Sequence, residues 1–318
     1  MSVQINLAVR DWDYLTPLLL NEIESDDLSM KITRVNTLVD DWYQHPEFDG
    51  GEMSLSRYSQ LKAKGDETLI GIPHFLMRGF RHRCILTNKN SELTDIKSLS
   101  GKKIGLTGWQ DSGNTWTRAI FRQAGVDMKN IHWFVGRLTK EHPITDRLAG
   151  FGQPGWIDNC PDDMPMMDLL AMGELDAVCT PFMPKGFFAD SSPFRPLLTE
   201  YRETERLYAK QHGYIPGIHI LVLKREFAEN HPGIGKAASD MFTSSYQLWM
   251  DKRTKYADTT PWLLDDIARM HQDLPSTWNN QGIKANKNML TDWCQELFEQ
   301  GIVSAPVSIE MLFSKENW

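Results

Sequence analysis

Three short stretches and one isolated histidine carry side chains that could handle an acid. In FLMRGFRHRC (residues 75–84), Arg78, Arg81, His82 and Arg83 fall within six positions, between apolar runs at 69–72 and 84–86. A guanidinium fork matches a carboxylate through two parallel hydrogen bonds. Imidazole is the side chain that trades protons near neutral pH. In GEMSLSRY (51–58), Glu52, Ser54 and Ser56 alternate, so a strand end would set a carboxylate and two hydroxyls on one side. They could meet phenolic hydroxyls, or Ser54 or Ser56 could simply cap a helix. In TGWQDSGNTW (107–116) a Gly-containing turn runs into a helix, whose N–H groups and dipole favour an anion. That stretch offers Trp109, Gln110, Ser112, Asn114 and Thr115, with Trp109 able to stack on a ring. It has neither a G-x-G-x-x-G pattern nor a phosphate loop, so a nucleotide is not expected. His219 opens the apolar run GIHILVLK and competes with His82 as proton donor. A core histidine and a solvated, salt-bridged hinge are the plain structural readings of these same residues.

The chain that must position them has 318 residues, enough for two modest cores. Its net charge of −8 argues against a nucleic-acid or anionic-membrane partner, where phosphate contacts dominate affinity. A local cationic pocket for a small acid is still compatible with that balance. Eleven Trp suit an aromatic-walled pocket, although large core side chains account for most of them. Cys84, Cys160, Cys179 and Cys294 show no C-x-x-C spacing, and the nine histidines form no H-E-x-x-H. Reduced thiols and no metal are expected. The start, MSVQINLAVRDWDY, lacks a cationic region followed by a long apolar one, and no stretch approaches ~18 apolar residues. The expectation is a cytoplasmic protein; a homo-oligomer is compatible with the sequence.

Alternation predicts strands at 3–9 and 30–38, and apolar runs predict strands at 69–73, 84–88, 102–107 and 217–227. Helices are expected over 15–24, over 111–125 (capped by Ser112 or Asn114, stopped by Gly125), and before Gly173. Beyond 230 the pattern is helical. Repeating βα units followed by terminal helices imply an α/β protein with mixed, mainly parallel sheets. Residues 137–163 are long for a connection and read as a functional or excursion loop.

Several stretches resemble a known family. LTDIKSLSGKKIGLTGWQDSGNTWTRAIFRQAGVDMKNIHWF (93–134) and LLAMGELDAVCTPFMP (169–184) resemble the second lobe of type II periplasmic-binding-protein folds. FDGGEMSLSRY (48–58), GIPHFLMRGFRH (71–82) and YIPGIHILVLKRE (214–226) resemble the 4,5-dihydroxyphthalate decarboxylase-like branch of that superfamily. The segment RLTKEHPITDR after residue 136 departs from the pattern, as do Met77 and Gly79. The resemblance implies an α/β, two-lobed fold with two interlobe crossing strands: lobe I from 1–84 and 218–318, lobe II from 85–217, and a ligand cleft between them. It places residues 81–88 on the first crossing, where alternation would turn Arg81 and Arg83 one way and His82 the other. It implies a decarboxylase of a hydroxylated aromatic carboxylate that needs no cofactor. Arg78 and Arg81 would clamp the acid, His82 or His219 would protonate the ring carbon, and Glu52 would accept the phenol proton. The alternative is a non-catalytic binding protein or sensor for a small carboxylate.

Overall fold

In the computed structural model, residues 2–39 and 41–313 are described. Among these residues there are eleven strands: β1 (Val3–Arg10), β2 (Leu28–Val35), β3 (Gly50–Ser54), β4 (Leu69–Arg78), β5 (Ile85–Asn88), β6 (Lys103–Leu106), β7 (His132–Val135), β8 (Ile157–Asn159), β9 (Ala177–Cys179), β10 (Phe194–Pro196) and β11 (Gly217–Lys224). The α-helices are α1 (Thr16–Leu19), α2 (Leu55–Ala63), α3 (Ser112–Gln123), α4 (Met166–Met172), α5 (Tyr201–His212), α6 (Arg225–Asn230), α7 (Ile234–Lys255), α8 (Leu263–Asp273), α9 (Lys287–Glu299) and α10 (Ile309–Leu312). No helix among the described residues is long and apolar enough to cross a membrane.

The chain divides into two compact units. The first takes the described parts of Met1–Arg78, His212–Phe298 and Val303–Trp318; the second takes Gly79–Gln211 and Glu299–Ile302. In the first unit the sheet order is β2-β1-β3-β11-β4. β1 pairs in parallel with β2 and β3, and β11 runs antiparallel to β3 and β4. Ile5, Leu7 and Val9 of β1 pack with Leu221 and Leu223 of β11 and Phe242 of α7 in one apolar cluster. In the second unit the order is β10-β5-β9-β6-β7-β8, parallel from β9 through β8 and antiparallel at β5 and β10. Its core joins Leu86 and Val178 to Met166, Leu169 and Leu170 of α4. Gly173, at φ 77°, ends α4 as a left-handed cap that suits glycine, so the chain can turn into β9.

Three local expectations change. The helix expected over 15–24 is the single turn α1, closed by Asn21 in the left-handed region. Neither Ser112 nor Asn114 caps α3: the N-cap residue is Asp111, whose carboxylate accepts from Thr107 Oγ1 (2.9 Å) instead of from a helix N–H. The strand expected from residue 84 begins at 85 and is preceded by a 3-10 turn, His82–Cys84, so strand alternation does not govern 81–83. Arg81 and His82 are both buried there, and Arg83 is exposed.

Candidate active site

In the first unit, β3 and β11 lie side by side, with Leu221 opposite Glu52 and His219 opposite Ser54. On β11's other edge the ladder with β4 is broken. Between the pairs His219–Met77 and Leu221–Ile72, β11 spans one residue while β4 spans Pro73–Leu76. Such bulges twist a strand and re-aim its side chains. Proline, with no N–H to give to a ladder, is at home in one. The groups the bulge releases are taken up elsewhere: Gln281 Oε1 accepts from Phe75 N (2.8 Å), and Pro73 O accepts from Gly282 N (2.8 Å). Gly217 permits the packing, since a Cβ there would lie 2.4 Å from the Phe75 ring.

His219 Nδ1 stands 2.5 Å from Glu52 Oε1. Glu52 Oε2 accepts from Arg10 N and from Trp12 Nε1, each at 2.9 Å. The carboxylate is buried at 1% exposure. Burial alone would raise its pKa; the hydrogen bond and charge of His219, with those from Arg10 and Trp12, outweigh burial and hold it below the ordinary 4.5. An ionised carboxylate only accepts, so Nδ1 carries the hydrogen and Nε2 is the nitrogen left to take up or give a proton. Nδ1 to Glu52 is the only side-chain hydrogen bond of His219 among the described residues. Glu52 holds the His219 ring through Nδ1, and with three donors on its oxygens and 1% exposure it is set for that contact rather than for the phenol proton expected of it.

The second unit holds a different feature. Arg81 is 2% exposed and donates through Nε to Thr117 Oγ1 (3.3 Å). No other hydrogen bond and no ion pair engage the guanidinium among the described residues. Its guanidinium lies against the first turn of α3: a Cβ on Gly113 would meet the terminal nitrogens at 2.9 and 3.3 Å, so a larger residue there would have to push the guanidinium aside. Glu205 feels the charges of Arg83 and Arg81 but is itself raised to about 6, with burial the largest cause, and accepts from Arg83 N. A buried cation beside the positive end of a helix is a poor arrangement in isolation and a good one around an anion.

The remaining candidates are distributed differently from expectation. Arg78 is no open clamp. It donates to Asn280 O (3.0 Å) and Asn286 Oδ1 (2.8 Å) in the first unit and lies over the Phe75 ring. Trp109 is 3% exposed, with the Arg118 guanidinium 3.8 Å from its ring centre and Trp133 and Trp156 edge-on. A ligand ring could stack on it only by displacing Arg118. Asn114 donates to Thr107 Oγ1 and Gly108 O, and Thr115 Oγ1 to Asp111 O, so both build the turn. Ser112, Ser54 and Ser56 are buried at helix starts, and Gln110 is buried with its side-chain oxygen unpaired among the described residues. His82 packs edge-on against Tyr208 in the second unit. Among the described residues no group of three or more His, Cys, Asp or Glu could hold a metal ion.

Sequence reasoning passed over Arg10, Trp12, Thr117 and His74. His74 sits in the β4 bulge, with Nδ1 2.7 Å from Ser239 Oγ. Burial, helped by the charge of Arg78, lowers it from 6.5 to about 3. The folded state therefore refuses a proton that the unfolded chain accepts. The contribution of neutral His74 is complete above pH 6.5 and is lost as pH falls toward 3, at roughly 1.4 kcal/mol per pH unit. Urea unfolding at pH 7 and pH 5 should show about 2 kcal/mol less stability at pH 5 from this group. His74→Phe should lack that part of the slope. An unchanged slope in the variant would contradict the assignment.

Comparison with solved structures gives this two-sheet chain a fold of the type II periplasmic-binding-protein-like class. The chain superposes on the periplasmic aliphatic sulphonate binding protein SsuA of Escherichia coli with a TM-score of 0.60 at 14% identity, covering 100% of this chain and 99% of the other. Within that class it is homologous to proteins named 4,5-dihydroxyphthalate decarboxylase. It is 23% identical to the one from Comamonas testosteroni over 323 residues, 98% of this chain and 96% of the relative. It is 27% identical to the one from Pseudomonas putida over 189 residues, 58% of this chain and 73% of the relative. No protein-family model matches the chain.

Proposed function

We propose that the protein is a carboxy-lyase for a hydroxylated aromatic acid of the 4,5-dihydroxyphthalate kind, in which His219 delivers the proton. The observation that carries this reading is the Glu52–His219 relay: a buried, ionised carboxylate on Nδ1 with Nε2 unengaged among the described residues. It is the arrangement expected of a general acid–base pair. The names of the relatives support the substrate class.

The chemistry balances with protein groups alone. A ring hydroxyl para to the departing carboxylate pushes electron density onto the carbon that bears it. The imidazolium of His219 gives its Nε2 proton to that carbon. The bond to the carboxylate then breaks, its electron pair restores the aromatic ring, and CO2 leaves. Neutral His219 recovers a proton from solvent, so one proton is consumed per CO2. In the second unit, Arg81 offers an acid the guanidinium nitrogens that make no hydrogen bond among the described residues.

A second reading, a receptor or sensor for a small acid, draws on Arg81, which binding alone would also require. Incubation with 4,5-dihydroxyphthalate separates the two. The enzyme reading expects stoichiometric release of CO2 and of the dihydroxylated monoacid. Saturable binding without any CO2 would leave the receptor reading in its place.

A further inference from the structure

The first unit contains a cavity of about 200 Å³ that the proton relay does not use. An apolar cavity of ~150 Å³ is enough for a benzene ring, so this one has room for a ring with substituents. Its walls are flat: Trp12, Tyr14, Phe75, Tyr246 and Trp278 line it. The walls brace one another. Trp12 and Tyr14 are parallel at 6.4 Å, Tyr14 meets Tyr246 edge-on at 5.8 Å, and Tyr246 meets Trp278 edge-on at 6.3 Å. Tyr14 is fixed by its hydroxyl, which donates to Leu76 O (2.6 Å).

Two of the lining residues connect it to the relay. Trp12 donates its indole N–H to Glu52 while its ring faces the cavity, and Met77 is the ladder partner of His219. The charge is one-sided: Arg78 lines the cavity and no Asp or Glu does. Polar partners are available. His74 uses only Nδ1, and the Tyr246 hydroxyl makes no hydrogen bond among the described residues. Aliphatic acids gain little from such walls, whereas ring-to-ring contacts are each worth ~0.5–1.5 kcal/mol beyond the area they bury.

We infer that this cavity seats the aromatic ring of the acid and selects a flat ring over a puckered or open-chain one. The inference rests on the proposed function for the identity of the acid, but its test does not. Two probes carry the same pair of carboxylates: phthalate, which is flat, and cyclohexane-1,2-dicarboxylate, which is not. Calorimetric titration of the whole protein should show phthalate binding at least ~10-fold tighter, the equivalent of about 1.4 kcal/mol. Thr243→Phe fills the cavity from an exposed position on α7, and Trp278→Ala removes a wall. Each should bring the two affinities to within about threefold. Equal binding of the two probes by the unaltered protein, binding of neither, or a preference that survives both substitutions overturns the inference. CO2 release from 4,5-dihydroxyphthalate is read separately. Release with a surviving preference removes the cavity and leaves the decarboxylase. A preference that Thr243→Phe erases, with no release, does the reverse.

Discussion

His219→Asn is expected to cut turnover of 4,5-dihydroxyphthalate by roughly 10²- to 10⁴-fold while leaving its Kd within about threefold, because only the proton-transferring nitrogen is lost. Asn keeps an amide near Nδ1 and so can still face Glu52, but nothing remains to occupy the place of Nε2. Glu52→Gln tests the relay from the other end. Three donors, His219 Nδ1, Arg10 N and Trp12 Nε1, converge on the two carboxylate oxygens. A glutamine offers one acceptor oxygen, so its NH2 must face either the backbone and indole donors or the imidazole. The first clash costs stability, and the second forces the imidazole hydrogen onto Nε2. Turnover should fall while binding holds. A purely structural role for His219 predicts something else: binding and turnover lost together, with a fall in Tm.

The elements whose residues repeat with a clear period were legible in the sequence, and the site was legible only where it coincided with them. β1 and α3 stand within one or two residues of their expected bounds, and Gly173 ends α4 as expected. The β4 bulge was not legible. LIGIPHFLM is apolar on both sides of His74, so no alternation marks where the ladder with β11 slips. The role of Glu52 was hidden for a different reason. Its partner lies 167 residues away, and only the antiparallel pairing of β3 with β11 brings the two together. Alternation misled at 81–83 because the chain takes a 3-10 turn there, which buries two neighbouring side chains and exposes the third. Trp109 looked like a ligand platform because an indole near a helix start reads the same whether Arg118 covers it or not.

Arg81 should show the opposite signature to His219: Arg81→Met should abolish acid binding and yet raise the stability of the ligand-free protein. In the ligand-free chain this guanidinium is buried at 2% exposure, beside the positive end of α3, with one hydrogen bond to Thr117 and no carboxylate in ion-pair reach among the described residues. Removing a buried charge from water without a partner is costly, and replacing poorly compensated buried ions by apolar side chains of similar size often stabilises. A gain of about 1 kcal/mol would lift Tm by ~2 °C in a protein of this size. The ligand carboxylate is what repays the burial, so its affinity should fall by ~10²-fold or more, and its protective shift of Tm should vanish. Arg83→Ala is the control, because that side chain is exposed one turn position away and should change neither quantity. Thermal denaturation with and without 4,5-dihydroxyphthalate reads both effects at once. A destabilised ligand-free Arg81→Met protein would show that the guanidinium is a structural prop, and undiminished ligand protection in the variant would show that the acid is held elsewhere. Stability sacrificed at one buried cation and recovered only with an anion bound is the signature of a binding group, since a group retained for the fold alone has no reason to be worse off without ligand.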